Sequence, residues 1–352
     1  MIEYTGAVHI HSEYSDGTKS IPEIARIAGT VGLDFLLFAD HMTLQPLSDG
    51  HEGWHDGVLV LIGYEINDRD DHNHYLAFDV AEVLDENLSA PEYVREIHRR
   101  GGLGFIAHPH EVRQAFDKFP PYPWTHWEVN EFDGIEIWNH MSEWMEGLTK
   151  ANRLKMILSP RKLLKGPPEA TLEKWDQLSA RRRVTGIGAI DVHAYPYRLG
   201  PFTVVIFPYK VQFKSIRTHL LMREPLSGDL KKDKRTVYAT LRAGRVFVSN
   251  YRWGDARGFR FRAQERDTAA QMGESLTCSQ GVDLLAQTPV DGHIVLIRNG
   301  QEVANAFGRE LFHRTDLPGI YRIEVYRRKR GWIYSNPIQL CLRQEDGWRK
   351  KA

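Results

Sequence analysis

The sequence predicts an α/β fold, a sheet of β–α units either open or closed into a barrel, followed by a smaller β-rich unit. Three observations carry this. Apolar strand-like runs alternate with helix-like runs through the first two-thirds of the chain. Side chains that bind metals stand at the ends of several of those runs, as they would at the rim of a barrel. Beyond about residue 250 the pattern changes to short alternating segments separated by Gly, Pro and Asn.

Each element has a local reason. Ala7 to His11 reads as a strand. Ser20-Ile21-Pro22-Glu23 is a capping box with proline in the first helical turn, opening a helix that runs to about Val31 and stops at Gly32. Asp34 to Ala39 is a continuous apolar run of the buried-strand type. Val58 to Ile66 and Tyr75 to Val80 follow as strands. Pro91 to Arg100 reads as a helix ended by Gly101-Gly102, and Glu169 to Arg183 as an amphipathic helix. Leu103 to Ala107, Gly134 to Trp138 and Val184 to Ile190 are further short strands, so repeated β–α units predict a parallel sheet. In the last part, Phe259 to Arg262, Val282 to Ala286, His293 to Ile297, Tyr321 to Tyr326 and Ile338 to Leu342 are strand-like. Asn299-Gly300 is a hairpin turn signal and Pro318-Gly319 another turn. The expected organisation is one unit over residues 1–250 and a small antiparallel β-sandwich over 256–345. No low-complexity linker separates them, so they are expected to pack together.

Composition narrows the function classes. The chain has 352 residues, with Lys+Arg and Asp+Glu both 46. A formal charge of zero argues against a global nucleic-acid or anionic-membrane footprint. The basic runs Arg181-Arg182-Arg183 and Arg327-Arg328-Lys329-Arg330 read as solvated faces or turns. Two cysteines, Cys278 and Cys341, in so long a chain point to a reducing compartment. The N-terminal residues lack a basic-then-apolar leader and no apolar run approaches membrane-spanning length. The expectation is a cytoplasmic protein acting on a small molecule, with no nucleic-acid or membrane partner; self-association into a homo-oligomer is compatible with the sequence.

Chemistry lies in the histidines and carboxylates. In order they are His9-Ile10-His11, Ser15-Asp16-Gly17, Asp40-His41, Glu65, His74, Ala107-His108-Pro109 and Asp191-Val192-His193. Imidazole with carboxylate and no cysteine is a ligand set for zinc, manganese or iron doing hydrolytic work. One histidine-x-histidine pair is weak evidence in a chain with 16 histidines, but residues i and i+2 share a strand face, so His9 and His11 can serve one ion. A carboxylate can bridge two ions, which makes Glu65, at the end of Ile62-Gly63-Tyr64-Glu65, the candidate bridge. His74 is favoured over His72, which follows an acidic loop, and His108 over His110, because His108 directly ends an apolar strand. His110 is then expected to face substrate. His140, just after a strand, is read as a residue behind the ligands or a substrate contact rather than a ligand. His51 and His55 lie in a Gly/Asp-rich loop that could form a lid.

With these motifs in this order, residues 5–250 resemble the PHP (polymerase and histidinol phosphatase) superfamily of metallohydrolases. The resemblance implies a distorted seven-stranded β/α barrel with up to three metals at its C-terminal rim. It implies His9, His11, Glu65 and Asp191 around a first metal, Glu65, His74 and His108 around a second, and Asp16, His41 and His193 around a third. Thr240 to Ser249 and Ser335-Asn336-Pro337-Ile338 resemble the carbaryl-hydrolase-like (CehA/McbA-type) branch, which carries a β-rich tail.

The implied cofactors are two or three divalent ions (Zn, Mn or Fe). Two ions bridged by Glu65 can share a water and lower its pKa towards about 7. The expected reaction is hydrolysis of a small phosphoester, with Glu65 and Asp191 in the catalytic set and His193 or His110 protonating the leaving group. Arg198 is a candidate phosphate clamp by position and charge. The competing reactions are carbamate, amide or ester hydrolysis at the same cluster. A metal-stabilised binding protein without catalysis is the alternative of another class.

Overall fold

The computed structural model describes residues 1–113, 120–342 and 348. Eight strands build the first part: β1 (Ile2–Ile10), β2 (Phe35–His41), β3 (Gly53–His55), β4 (Val58–Ile66), β5 (Tyr75–Phe78), β6 (Leu103–Ile106), β7 (Gly134–Asn139) and β8 (Thr185–Ala189). They pair in the order β1–β2–β4–β5–β6–β7–β8, with β3 a short antiparallel neighbour of β4. Just past β8 the chain returns to β1: Ile190 N–H donates to Val8 O at 3.0 Å, and His11 N–H to Val192 O at 3.1 Å.

The sheet is mixed, not wholly parallel as expected. β1/β2, β2/β4, β6/β7 and β7/β8 run parallel, but β5 is antiparallel to both neighbours. The reason is connection length. Only residues 67–74 separate β4 from β5, too few for the crossover a parallel pair requires. Helices Ile21–Gly29 and Ala90–Arg99 match the expected segments. Each opens on a serine with both halves of the capping box formed, Ser20 with Glu23 and Ser89 with Glu92.

Period-2 alternation sorts the strand side chains into two cores. On β2, Phe35, Leu37 and Ala39 join one buried cluster while Leu36 and Phe38 join another. On β4, Leu59 and Leu61 belong to the first set, Val60 and Ile62 to the second. The second set packs under the helices through Ile24, Ala28, Tyr93 and Trp175. Strands buried on both faces explain why these segments read as continuous apolar runs.

The rest of the chain extends the sheet. β9 (Tyr195–Leu199) and β10 (Phe202–Ile206) form a separate two-stranded ribbon. β11 (Ile216–Met222) pairs antiparallel with β1, and β12 (Val246–Asn250) with β11. The strand-rich final part comprises β13 (Arg260–Glu265), β14 (Thr268–Gln271), β15 (Ser275–Thr277), β16 (Val282–Arg298), β17 (Gln301–Thr315), β18 (Gly319–Arg327), β19 (Arg330–Ser335) and β20 (Ile338–Cys341). Two expectations are corrected here. The runs around Val282 and His293 are one strand, β16, whose register against β17 shifts between Gln287 and Gly292. β17, too polar to be read as a strand, is its 15-residue partner. The pairings are antiparallel except β15 beside β20, and β19 hydrogen-bonds to β12, so this part continues the main sheet. Asn299 and Gly300 form the β16–β17 turn with φ of 49° and 84°, the left-handed values such a turn needs. Residues 343–345 of the expected second unit lie outside the described residues.

A buried ion pair ties the final strands to the first part. Arg322 on β18 donates to Asp176 of helix Glu169–Ser179 through Nε at 2.7 Å and Nη2 at 2.8 Å. It also bonds Glu324. Such a bidentate pair fixes orientation. Removing Asp176 takes two charge-assisted hydrogen bonds from Arg322 and leaves it with Glu324, so Asp176→Ala is expected to cost about 1.5–3 kcal/mol. Urea unfolding of the variant checks this; a loss under about 1 kcal/mol would show that the pair does not hold the two parts together.

Candidate metal centre

The ligand-type side chains continue the inner face of the strands. Residue parity carries Phe35, Leu37 and Ala39 on to His41, and Leu59, Leu61 and Gly63 on to Glu65. His74 precedes Leu76 and Phe78 on the same face of β5. Simple alternation fails at His9 and His108. On β1, Val8 belongs to the inner cluster and both Ala7 and Ile10 to the outer one. A β-bulge between Val8 and Ile10, with His9 at φ 66°, resets the parity so that His9 and His11 both turn inward. His108 has φ 27° and Asp191 φ 51°. Left-handed backbone at a non-glycine residue costs on the order of 1–3 kcal/mol and gathers at functional sites.

Glu65 is the hub. Its Oε2 lies 3.0 Å from His9 Nε2, 3.5 Å from His11 Nε2 and 3.3 Å from His41 Nδ1. Its Oε1 lies 2.8 Å from His74 Nδ1 and 3.4 Å from His108 Nε2. Around it stand three groups with geometry for an ion: His9, His11 and Asp191; Glu65, His74 and His108; and His11, Asp16, His41 and His193. Asp191 Oδ1 is 3.6 Å from His9 Nε2 and 3.5 Å from His11 Nε2. Asp16 Oδ1 is 3.3 Å from His193 Nε2, 3.7 Å from His11 Nδ1 and 3.8 Å from His41 Nε2. His11 therefore offers one ring nitrogen to each of two groups, which the residue order does not reveal.

The donors fit divalent cations on their own evidence. Among the described residues, both ring nitrogens of His11, Nε2 of His74 and Nδ1 of His108 are buried without a hydrogen-bond partner. Buried polar atoms are ordinarily satisfied; cations in the two groups that His11 joins would satisfy both of its nitrogens, whereas the orphan nitrogens of His74 and His108 are not the ones that approach Glu65.

Charge coupling points the same way. Burial opposes ionisation of Glu65 and Asp191, but the surrounding histidines, His9 foremost, hold both carboxyls well below the usual carboxylate range. His9 and His74 are pushed up in return: burial, the largest single effect, works against them, yet the carboxylates around them, Glu65 first, together outweigh it, and His74 reaches about 10. His11 goes the other way, to about 3, through burial and the neighbouring His193 and His41. Asp16 is lowered, its burial outweighed by His193, His11 and His41.

Supporting residues were missed in the sequence. Glu136, buried in β7, accepts from His9 Nδ1 at 2.7 Å, His108 N–H at 2.8 Å and Asn139 Nδ2 at 2.8 Å. It thereby directs His9 Nε2 at the cluster. A carboxylate inside Ile135-Glu136-Ile137 was the available signal. Asp40 is no member of the three groups; it accepts from Ser12 N–H, Ser12 Oγ and Ser15 Oγ, each at 2.7 Å, and so shapes the loop bearing Asp16. Tyr195 OH donates to Asp16, and its ring stacks on His193 at 4.9 Å.

The substrate candidates fall elsewhere. His110 is outside the three groups; its Nδ1 is 3.0 Å from Thr171 Oγ1 and its ring stacks on Trp127. His140 is fully buried, with Nδ1 2.8 Å from Ser215 Oγ and its ring parallel to Phe207, and burial lowers its pKa to about 3. The substrate-contact expectation for His140 is therefore corrected: it offers no accessible surface. Arg198 is exposed on β9. His51 bonds Tyr14 OH through Nε2 at 2.9 Å, and His55 Nε2 bonds His51 O at 2.8 Å.

No family model and no curated protein matches this sequence. Among solved structures, the chain is similar to a two-domain protein from Bacteroides vulgatus containing a predicted PHP-like metal-dependent phosphoesterase, at 14% identity and TM-score 0.44, over 96% of this chain and 95% of that one. A Bifidobacterium adolescentis protein described as a candidate metal-dependent phosphoesterase matches at 14% identity and TM-score 0.36, over 56% of this chain and 92% of that one. Similarity at this level assigns neither a family nor an activity.

Two predictions follow from the coupling. Glu136→Gln weakens the hold on His9 and is expected to lower metal affinity about 10–100-fold, read by competition with a chelator dye; an unchanged affinity would remove Glu136 from the centre. His74, raised to about 10, carries its proton at pH 7 without metal. A cation needs the free lone pair, so binding expels protons and tightens as pH rises towards that value. Calorimetry in two buffers of different ionisation heat should show net proton release at pH 7, and equal heats would contradict it.

Proposed function

We propose that the chain is a metal-dependent hydrolase of the PHP type, and that it cleaves a small phosphoester. The reading comprises a distorted β/α barrel over residues 1–250 and a β-sandwich-like unit over 256–345. The observation that carries it is Glu65: its two carboxylate oxygens face two separate histidine sets. A structural carboxylate needs one partner set, whereas one that bridges two ions needs two.

In this reading His9, His11, Glu65 and Asp191 hold one ion, Glu65, His74 and His108 a second, and Asp16, His41 and His193 a third. Bound Zn, Mn or Fe supplies Lewis acidity, acidifying water and drawing charge from the substrate oxygen. The chain's own residues do the rest. Glu136 fixes the tautomer of His9, and Asp40 fixes the loop of Asp16. If only the first two groups are filled, His193 Nε2, 3.3 Å from Asp16 Oδ1, holds a proton for the leaving oxygen. His110, tied to Thr171 and stacked on Trp127, is the weaker candidate for that role.

One observation favours the second reading, a carbamate, amide or ester hydrolase. Arg198 pairs with Thr203 on the ribbon face opposite Tyr195, which touches the centre. A cationic clamp for phosphate is then missing from the position where Arg198 was expected to supply it. We further propose a cytoplasmic enzyme, monomeric or self-associated, acting on a small molecule and not on nucleic acid. Among the described residues no helix is long and apolar enough to cross a membrane.

The test is the Mn²⁺- or Zn²⁺-loaded protein on paired 4-nitrophenyl phosphate and 4-nitrophenyl carboxylate or carbamate substrates. Phosphate turnover that falls at least about 10²-fold in Asp191→Ala is the expected outcome. Carbonyl turnover without phosphatase activity would select the second reading, and turnover indifferent to Asp191 would reject both.

A further inference from the structure

The basic run Arg327 to Arg330 spans the turn between β18 and β19, and the three ligand groups make no use of it. Arg327 pairs with Arg330, so Arg328 and Lys329 form a two-residue loop. Their φ values are 51° and 59°. Both residues of such a loop take left-handed backbone, for which Asn-Gly is a favoured pair. The β16–β17 turn follows that rule with Asn299-Gly300, whereas the β18–β19 turn holds two long cations instead. Strained backbone at residues that local preference disfavours points to a use for their side chains.

Arg328 lines a cavity of about 430 Å³ together with Arg327 and the segment Tyr251 to Asp255 that follows β12. Arg252 is the third guanidinium there. Among the described residues no carboxylate pairs with any of the three, and Asp255, the one acid in the lining, is taken by Arg257, 2.6 Å from its Nη2. Arg327 is held in place: it donates to Trp253 O and lies 5.1 Å from the Trp332 ring centre. Gly254 leaves the room for it, since a Cβ there would stand 2.7 Å from Arg327 Nη1. Behind Tyr251 stands a fourth cation. Arg217 is fully buried 3.7 Å from that ring and bonds the carbonyls of Phe213 and Val31. Burial lowers its pKa to about 10, so it stays charged at neutral pH. Trp253 Nε1, a donor only, is buried without a partner among the described residues.

We propose that this cavity is a second binding site, for the phosphoryl group of a small molecule, held by Arg252, Arg327 and Arg328 with Trp253 Nε1 donating to one oxygen. Unpaired guanidiniums around a recess match the charge and geometry of phosphoryl oxygens. The recess is of the size that takes a small molecule, and a chain of zero formal charge offers no wider basic footprint for nucleic acid. The site is independent of the hydrolase reading. An occupant bridges the segment after β12 to the β18–β19 turn, so binding also stabilises the fold.

The experiment is calorimetric titration of the metal-free full chain with inorganic pyrophosphate at neutral pH. The proteins are the wild type, Arg252→Ala, the double variant Arg328→Asn/Lys329→Gly, and Arg309→Ala, which removes an exposed arginine outside the cavity. Arg252→Ala and the turn variant are expected to bind at least about tenfold more weakly, and Arg309→Ala within about twofold of wild type. The turn variant carries the favoured Asn-Gly pair, so its unliganded form should melt no lower than the wild type, which separates lost binding from lost fold. No saturable binding by the wild type overturns the proposal, and so does equal binding by all four proteins. A second arm offers a single-stranded oligonucleotide and vesicles of anionic lipid. Binding to either that the same variants abolish, with none to pyrophosphate, also overturns it, because the cavity would then serve a larger polyanion.

Discussion

The centre depends on one buried carboxylate with histidines on both sides. Taking Glu65 and Asp191 out of water costs several kcal/mol per charge in a folded protein, and neither is near solvent. The imidazoles of His9, His11, His41, His74 and His108 compensate that cost only when positive charge is present among them. Without metal, protons on His9 and His74 supply it. A divalent cation does the same with better geometry and also satisfies the orphaned nitrogens of His11. Burial, proton affinity and metal affinity are thus one property of the site, seen three ways.

The fold pays for this arrangement in backbone strain. His9, His108 and Asp191 sit at left-handed φ, where an L side chain is disfavoured. At His9 and His108 the strand or its continuation must turn a side chain out of its natural parity and into the cluster. The bulge at His9 places both histidines of its pair on the face that simple alternation denies to His9. Glu136 then holds the re-aimed His9 and His108 with short hydrogen bonds, and Asp40 holds the neighbouring loop through Ser12. Strain of this kind persists because the neighbouring strands over-determine it.

Most ligand-type residues were legible in the sequence because each ends an apolar run, and burial makes a polar residue there conspicuous. The capped helices and the Asn299-Gly300 turn were legible for local reasons, since their hydrogen bonds lie within a few residues. What was not legible depended on distant partners. Glu136 reads as a polar interruption until His9, more than a hundred residues away, is placed beside it. β5 runs against its neighbours because of a short connection that residue patterns do not encode. β17 carries polar side chains at most outward positions and becomes a strand only against β16. His140 follows a strand end like the ligands do, yet Phe207 and Ser215 bury it. Arg198 could be placed near the last motif by position, but its face could only be known from the ribbon's register.

The central claim is that Glu65 spans two cations. Anomalous diffraction from crystals grown with Zn²⁺ or Mn²⁺ tests it most directly. The account predicts two peaks, one on each side of Glu65, each about 2.0–2.2 Å from a carboxylate oxygen and from histidine nitrogens of its own set. A single peak that leaves one Glu65 oxygen uncoordinated, or no peak at this cluster, would contradict it.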